Sequence, residues 1–223
     1  PNDKEYIRRV NERAVTYLRE KKRDFIEKYD DYIINKYIIS GNEIDIRNIQ
    51  PKMIPVNDKE TSNIFMWTKL HWSIPISAGY GRRLRYLVYD KGNSALVGII
   101  GLADPVYGMM DRDTFIGWDR ETKRKRLKNV MDAFVLGAVP PYSNVLGGKL
   151  VSSLVASKEI KDDFRSKYRG IKSLISGEIF NGTLAAVTTL SAFGKSSVYD
   201  RIKIPSGPEF IHAGWTRGSG EFQ

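Results

Sequence analysis

Residues Asp111 to Ser157, DRDTFIGWDRETKRKRLKNVMDAFVLGAVPPYSNVLGGKLVSSLVAS, decide the fold class of this chain. Asp119 stands where a helix N-cap would, and Leu127, Val130, Met131 and Phe134 follow at the spacing of one helical face. The spacing predicts a basic helix with Lys123, Arg124, Lys125, Arg126 and Lys128 spread over its other faces. The apolar run FVLGAV, residues 134–139, is too short for a helix of its own and precedes Pro140 and Pro141, so most of it reads as a buried strand closed by a turn. Asn144, Val145, Leu146, Gly147, Gly148 and Lys149 then open a second helix whose apolar stripe is Leu150, Leu154 and Val155. Strand, glycine turn and helix N-terminus in that order would aim backbone N–H groups at an anion, which makes residues 144–149 a candidate phosphate cradle.

Downstream, Ser157 is placed to cap the charged helix KEIKDDFRSKYRG, in which Ile160, Phe164 and Tyr168 share a face and Gly170 supplies the stop. IKSLISGEIF and LAAVTTLS read as strands joined at Asn181-Gly182, and the chain closes on a hairpin-like finish through FIHAGWT and Arg217 to Gln223. Upstream, RLRYLVYD and ALVGIIGLADP flank a turn at Lys91 to Ser94 and predict a hairpin; the second strand is nearly all apolar, so it should be covered on both faces. Gly108 to Trp118 reads as a loop and a short strand, on which Asp111 and Asp113 would point to one side as a metal or general-base pair needs, while the intervening Arg112 makes a structural ion pair equally easy.

Residues 3–39 read as one long amphipathic helix whose stripe is interrupted at Lys21-Lys22-Arg23. The segment up to Val56, with Pro51 and Pro55, looks like a connector, and a further helix starts near Asn57 or Asp58 with Ile64, Phe65, Trp67 and Leu70 on its stripe. The expected organisation is an N-terminal helical extension and connector, 1–56, followed by an α/β domain, 57–223, with a mixed sheet flanked by helices.

A net charge of +10 and a pI near 9.6 favour an acidic partner, such as nucleic acid, an anionic cofactor or a membrane surface. The lack of cysteine excludes disulfides and thiolate metal sites, and two histidines make a histidine-rich metal centre an unlikely design. With no apolar run of spanning length and no signal peptide in view, the cytoplasm is the default location, and the abrupt ends at Pro1 and Gln223 suggest a piece of a longer protein.

The order of hairpin, strand, glycine turn, helix, strand and terminal Tyr segment resembles the GNAT acyltransferase fold. In that superfamily the pattern Arg/Gln-x-x-Gly-x-Gly/Ala holds the pyrophosphate of acyl-coenzyme A. VPPYSNVLGGKLVSSLVAS is similar to it, with Asn144 in place of the Arg or Gln and Lys149 in place of the last small residue. VTTLSAFGKSSVYDRI resembles the superfamily's second element, which would make Tyr199 the acid that protonates a departing thiolate. The series RDTFIGWDRETKRKRLKNVMDAFVLGAVPP, NVLGGKLVSSLVAS, FRSKY, NGTLAAV and GWTRGSG, within residues 80–223, looks like the DruA family of Druantia anti-phage defence. That resemblance implies a bacterial or phage setting, action against foreign DNA, other defence proteins as partners and a GNAT-like core.

Three readings follow. In the first, Arg82, Arg83, Arg85 and the cations of residues 123–128 contact nucleic-acid phosphates, so affinity falls steeply with salt. In the second, residues 144–149 hold acyl-coenzyme A or another phosphate-bearing donor, Tyr199 is the acid, and Asp111, Asp113 or Glu178 is the base. The third is a metal-dependent nuclease built on Asp111, Asp113, Glu178 and Lys195.

Overall fold

The computed structural model describes residues 4–145, 147–172, 177–191, 196, 198–205, 207 and 209–215. Leu146, Lys195, the centre of the strand expected at 171–180 and the finish expected at 216–223 therefore lie outside the described residues. Among the described residues, seven α-helices and five strands follow in the order α1 (Lys4–Lys21), α2 (Arg23–Tyr37), β1 (Pro51–Pro55), α3 (Lys59–Leu70), β2 (Arg83–Asp90), β3 (Leu96–Ala103), α4 (Met110–Ile116), α5 (Arg120–Arg126), β4 (Val130–Ala138), α6 (Gly147–Leu154), α7 (Lys158–Tyr168) and β5 (Ala186–Thr189). Among the described residues no helix is long and apolar enough to cross a membrane.

The strands form one mixed sheet in sequence order, antiparallel from β1 to β4 and parallel between β4 and β5. The parallel step is the one joined through α6 and α7, because a parallel pair needs a crossover. β3 is buried along its whole length, as its unbroken apolar run requires. On one face Tyr86, Ile100, Met131 and Leu136 pack against Val151 of α6 and Ile160 and Phe164 of α7; on the other, Leu87, Ile99 and Val135 pack against Ile33 of α2 and Ile64 and Phe65 of α3.

Three side-chain caps start helices where the sequence places them: Asp58 accepts from the Thr61 amide, Asp119 from the Thr122 amide and Ser157 from the Ile160 amide. Other expectations are corrected. The long N-terminal helix is two helices broken at Lys22, where the stripe is interrupted, and α2 alone sends a fully buried side chain, Ile33, into the core. The last part of the connector is the edge strand β1, whose prolines sit at its two ends where a missing N–H is tolerated. With β1 in the sheet, the expected division at residue 56 does not coincide with a break in the hydrogen-bonded fold.

The basic helix stops at Arg126, a single 3₁₀ turn spans Leu127–Asn129, and β4 begins at Val130. Val130, Met131 and Phe134 belong to a strand because β3 supplies the backbone partners, with a bulge that turns Phe134 to the α3 face. Gly108 to Trp118 forms no strand: α4 runs there and ends at Gly117, whose φ of 77° makes the left-handed stop. Asn181-Gly182 is a turn that lies against Arg165 and Arg169 of α7, and it leads into a strand parallel to β4 in place of a hairpin.

Candidate nucleic-acid interface

The register brings the first residues of β2, the last of β3 and the first of β4 to the same end of the sheet. Arg83 and Arg85 alternate with Leu84 along β2, so they point to the α3 face while Leu84 enters the core beside α7. Lys69, at the end of α3, joins them there. Burial, together with the charges of Arg85 and Arg83, pulls the Lys69 ammonium down to about 8. Its Nζ donates to the Ser77 carbonyl at 2.8 Å. α7 arrives from the opposite face, where Tyr168 Oη accepts the Arg83 amide at 2.7 Å and Lys167 Nζ donates to the Arg83 carbonyl at 2.9 Å. A groove of about 380 Å³ opens between the end of β1 and α7, lined by Arg83, Arg85 and Lys167. Its one acidic lining residue among those described, Asp163, accepts the Tyr86 hydroxyl at 2.9 Å.

α5 stands at this same end, since it leads directly into β4. Its cations are divided. Lys123 pairs with Asp113 at 2.8 Å, Lys125 with Glu121 at 2.7 Å, and Lys128 with Glu178, while Arg126 is exposed and so is Arg124. One member of the expected basic set is engaged elsewhere. The Arg82 guanidinium donates to Asp104 at 2.6 Å and to the carbonyls of Lys128 at 2.6 Å and Val130 at 3.3 Å, and it lies 5.2–5.6 Å from the ring centres of Phe164, Tyr168 and Phe180. Those contacts engage Nε and both terminal nitrogens, so Arg82 ties β2 to β4 and leaves the phosphate-contacting set. Arg82→Lys keeps the charge but loses the planar fork, and is expected to lower the melting temperature while leaving the salt dependence of nucleic-acid binding unchanged; thermal melts and titrations at several salt concentrations check this.

The residues read as catalytic are dispersed. Asp111 and Asp113 are two apart on a helix, about 200° around its axis, and so do not share a face. Asp113 is buried against Arg112 at 2.6 Å, Glu178 is an exposed partner of Lys128, and Tyr199 lies beyond the parting of β4 and β5. Among the described residues no group of three His, Cys, Asp or Glu side chains is placed to hold a metal.

The glycine turn sits at the far end of β4 from α5, about 26 Å away at roughly 3.3 Å per residue. A phosphate cradle there and the basic helix therefore do not form one surface. A side chain at Gly147 would lie 2.5 Å from the Tyr142 carbonyl oxygen, and Tyr142 is itself fixed by Asp90 at 3.0 Å and Asn93 at 2.9 Å. The glycine is thus needed for packing on the Tyr142–Val145 turn, and it is buried. Gly148 faces Val198, and the Tyr199 hydroxyl donates to the Leu136 carbonyl at 3.1 Å. Burial also pushes that hydroxyl above the ordinary phenol range. Where β4 outruns β5, Val198 and Tyr199 of the chain itself lie against Gly148 and the Leu136 carbonyl, an arrangement that does not fit acyl-coenzyme A.

The model of the family described as Druantia protein DruA matches residues 1–223. The chain belongs to the DruA family. The Druantia protein DruA of Escherichia coli (strain UMEA 4076-1) is 43% identical over 192 residues, which cover 84% of this chain and 46% of that protein. This DruA-family chain therefore spans a little under half the length of that curated relative. No solved structure matches it.

Lys69 and Lys167 lie outside the sets that the sequence points to: they are single cations on helices whose direction toward β2 is fixed only by packing. Arg112 makes the structural ion pair that its place between two aspartates suggests, with Asp113, and only 2% of it is exposed.

Proposed function

We propose that this DruA-family chain is the nucleic-acid-binding part of an anti-phage defence protein and that the cationic end of its sheet contacts DNA phosphates. The single observation that carries the reading is the convergence of Arg83 and Arg85 of β2 and Lys167 of α7 on one groove, with Lys69 of α3 beside the two arginines. Burial is the main cause of the lowered Lys69 value and the charges of Arg85 and Arg83 add to it; a polyanion would relieve that added repulsion. The family assignment supports the defence setting, and other defence proteins are proposed as further partners. A GNAT-like core is part of the proposal; what supports it is the order of strand, glycine turn, helix, parallel strand and Tyr segment, here retained as scaffold without an open donor site.

The test is a titration of the full chain with a labelled DNA duplex over a range of salt concentrations, repeated with the triple variant Arg83→Glu, Arg85→Glu, Lys167→Glu. Each phosphate contact contributes about 0.9 to the logarithmic salt slope, so the variant should show a slope smaller by about two to three and an affinity lower by about 100-fold. Binding that ignores salt, or that survives the triple reversal, overturns the reading.

A further inference from the structure

α4 has the reverse of the usual amphipathic arrangement. Its charged pair Arg112 and Asp113 is buried, at 2% and 8% exposure, while Met110, Phe115 and Ile116 face solvent at 69%, 51% and 41%. The loop before it adds Val106 and Tyr107, exposed at 44% and 43%. A helix serving only the core would turn these residues inward. The patch is also held rigidly. The Arg112 guanidinium donates to the carbonyls of Val106 at 2.8 Å and Tyr107 at 3.1 Å, and its charge is balanced by Asp113. Lys123 then pins α5 to α4 through Asp113 and lies 4.7 Å over the Tyr107 ring. Gly214 packs against Asp111, at 3.0 Å for a Cβ built on it, which carries the exposed Trp215 to the same helix.

Apolar and aromatic side chains on a fixed helix thus abut α5, whose acidic residues are already engaged, Asp119 by the Thr122 amide and Glu121 by Lys125, while Arg120 and Arg126 are exposed. The pairing of ring faces with cations matches unpaired bases on a phosphate chain: a single strand offers base faces that can stack, whereas a duplex offers mainly its phosphates. We propose that the exposed aromatic side chains beside α5, Phe115 of α4 together with Tyr107 and Trp215, form a stacking platform for single-stranded nucleic acid, its phosphates lying along α5. The proposal rests on the nucleic-acid reading above and adds the strand type and the residues that read it.

The experiment measures binding of the full chain to a labelled oligothymidine of about 20 nucleotides and to a duplex of the same length, with Phe115→Ala, Phe115→Tyr and the unchanged protein. Phe115 is exposed, so its replacement is expected to leave the melting temperature unchanged. Loss of one stacked base predicts about tenfold weaker single-strand binding for Phe115→Ala, recovery in Phe115→Tyr and no change on the duplex. Equal losses on both ligands, or none on the single strand, overturn this inference and leave the groove reading standing. If the unchanged protein binds neither ligand, both fall together. An anionic phosphatidylserine vesicle is the third arm: co-sedimentation abolished by Phe115→Ala, with oligothymidine binding intact, would make the patch a membrane anchor and overturn the proposal.

Discussion

Asp113→Ala is expected to cost about 3–5 kcal/mol of stability, because it leaves a buried guanidinium without its counter-charge. Arg112 donates to Asp113 Oδ1 from Nε at 2.9 Å and from a terminal nitrogen at 2.6 Å, and Lys123 meets the other oxygen at 2.8 Å. Removing the carboxylate strands two cations in a site where Arg112 is 2% and Lys123 is 15% exposed at the side chain. At roughly 2–4 °C per kcal/mol for a chain of this size, the melting temperature should fall by about 10 °C. Burial by itself would raise the Asp113 carboxyl, but the hydrogen bonds from Lys123 and Arg112 hold it below the ordinary aspartate value. A carboxylate depressed in the folded state stabilises fully above its unfolded pKa, about 3.9, and that contribution disappears as pH falls through the folded value. The unchanged protein should therefore show a component of acid unfolding that Asp113→Asn lacks. A loss under about 1 kcal/mol in urea melts of Asp113→Ala would mean that the site is hydrated and the ion pair ornamental.

Gly98→Val should be comparably damaging for a different reason. A Cβ built on Gly98 presses into the Gly137 carbonyl oxygen and lies 2.8 Å from Ala138 Cα and 2.9 Å from Val151 Cγ2. Two of these neighbours are backbone of β4, so β3 and β4 must separate or α6 must lift from the sheet. The expected loss is about 3 kcal/mol or more, at the upper end for overpacked cores. Gly148→Ala is the contrast: its Cβ meets Val198 at 3.8–3.9 Å, ordinary contact, and replacing glycine near a helix start is expected to change stability by less than about 1 kcal/mol. Denaturant midpoints for the two variants separate the cases, and a Gly98→Val protein as stable as its parent would show that the close approach of β3, β4 and α6 is wrong.

These two sites also mark what could be read without coordinates. Asp113 was marked for chemistry because a carboxylate near another carboxylate resembles a catalytic pair, and that inference depended on a strand. In α4 the same two residues point apart, and Arg112, lying between them in sequence, pairs with Asp113, the structural alternative that the sequence also offers. The basic residues 123–128 and Arg82, Arg83 and Arg85 are legible in the sequence, whereas Lys69 and Lys167 are not: they come from two helices far from β2 along the chain, and only packing brings them beside Arg83 and Arg85.

By itself the sequence determined the features whose causes are local: the caps at Asp58, Asp119 and Ser157, the hairpin of β2 and β3, the double-sided burial of β3 and the family to which the chain belongs. Tertiary structure alone decided which charges face inward. Arg82 and Arg112 differ from Arg83 and Arg120 only in what surrounds them, because desolvating a guanidinium is tolerated where carbonyls, carboxylates and rings from distant segments converge, and no local pattern records that convergence.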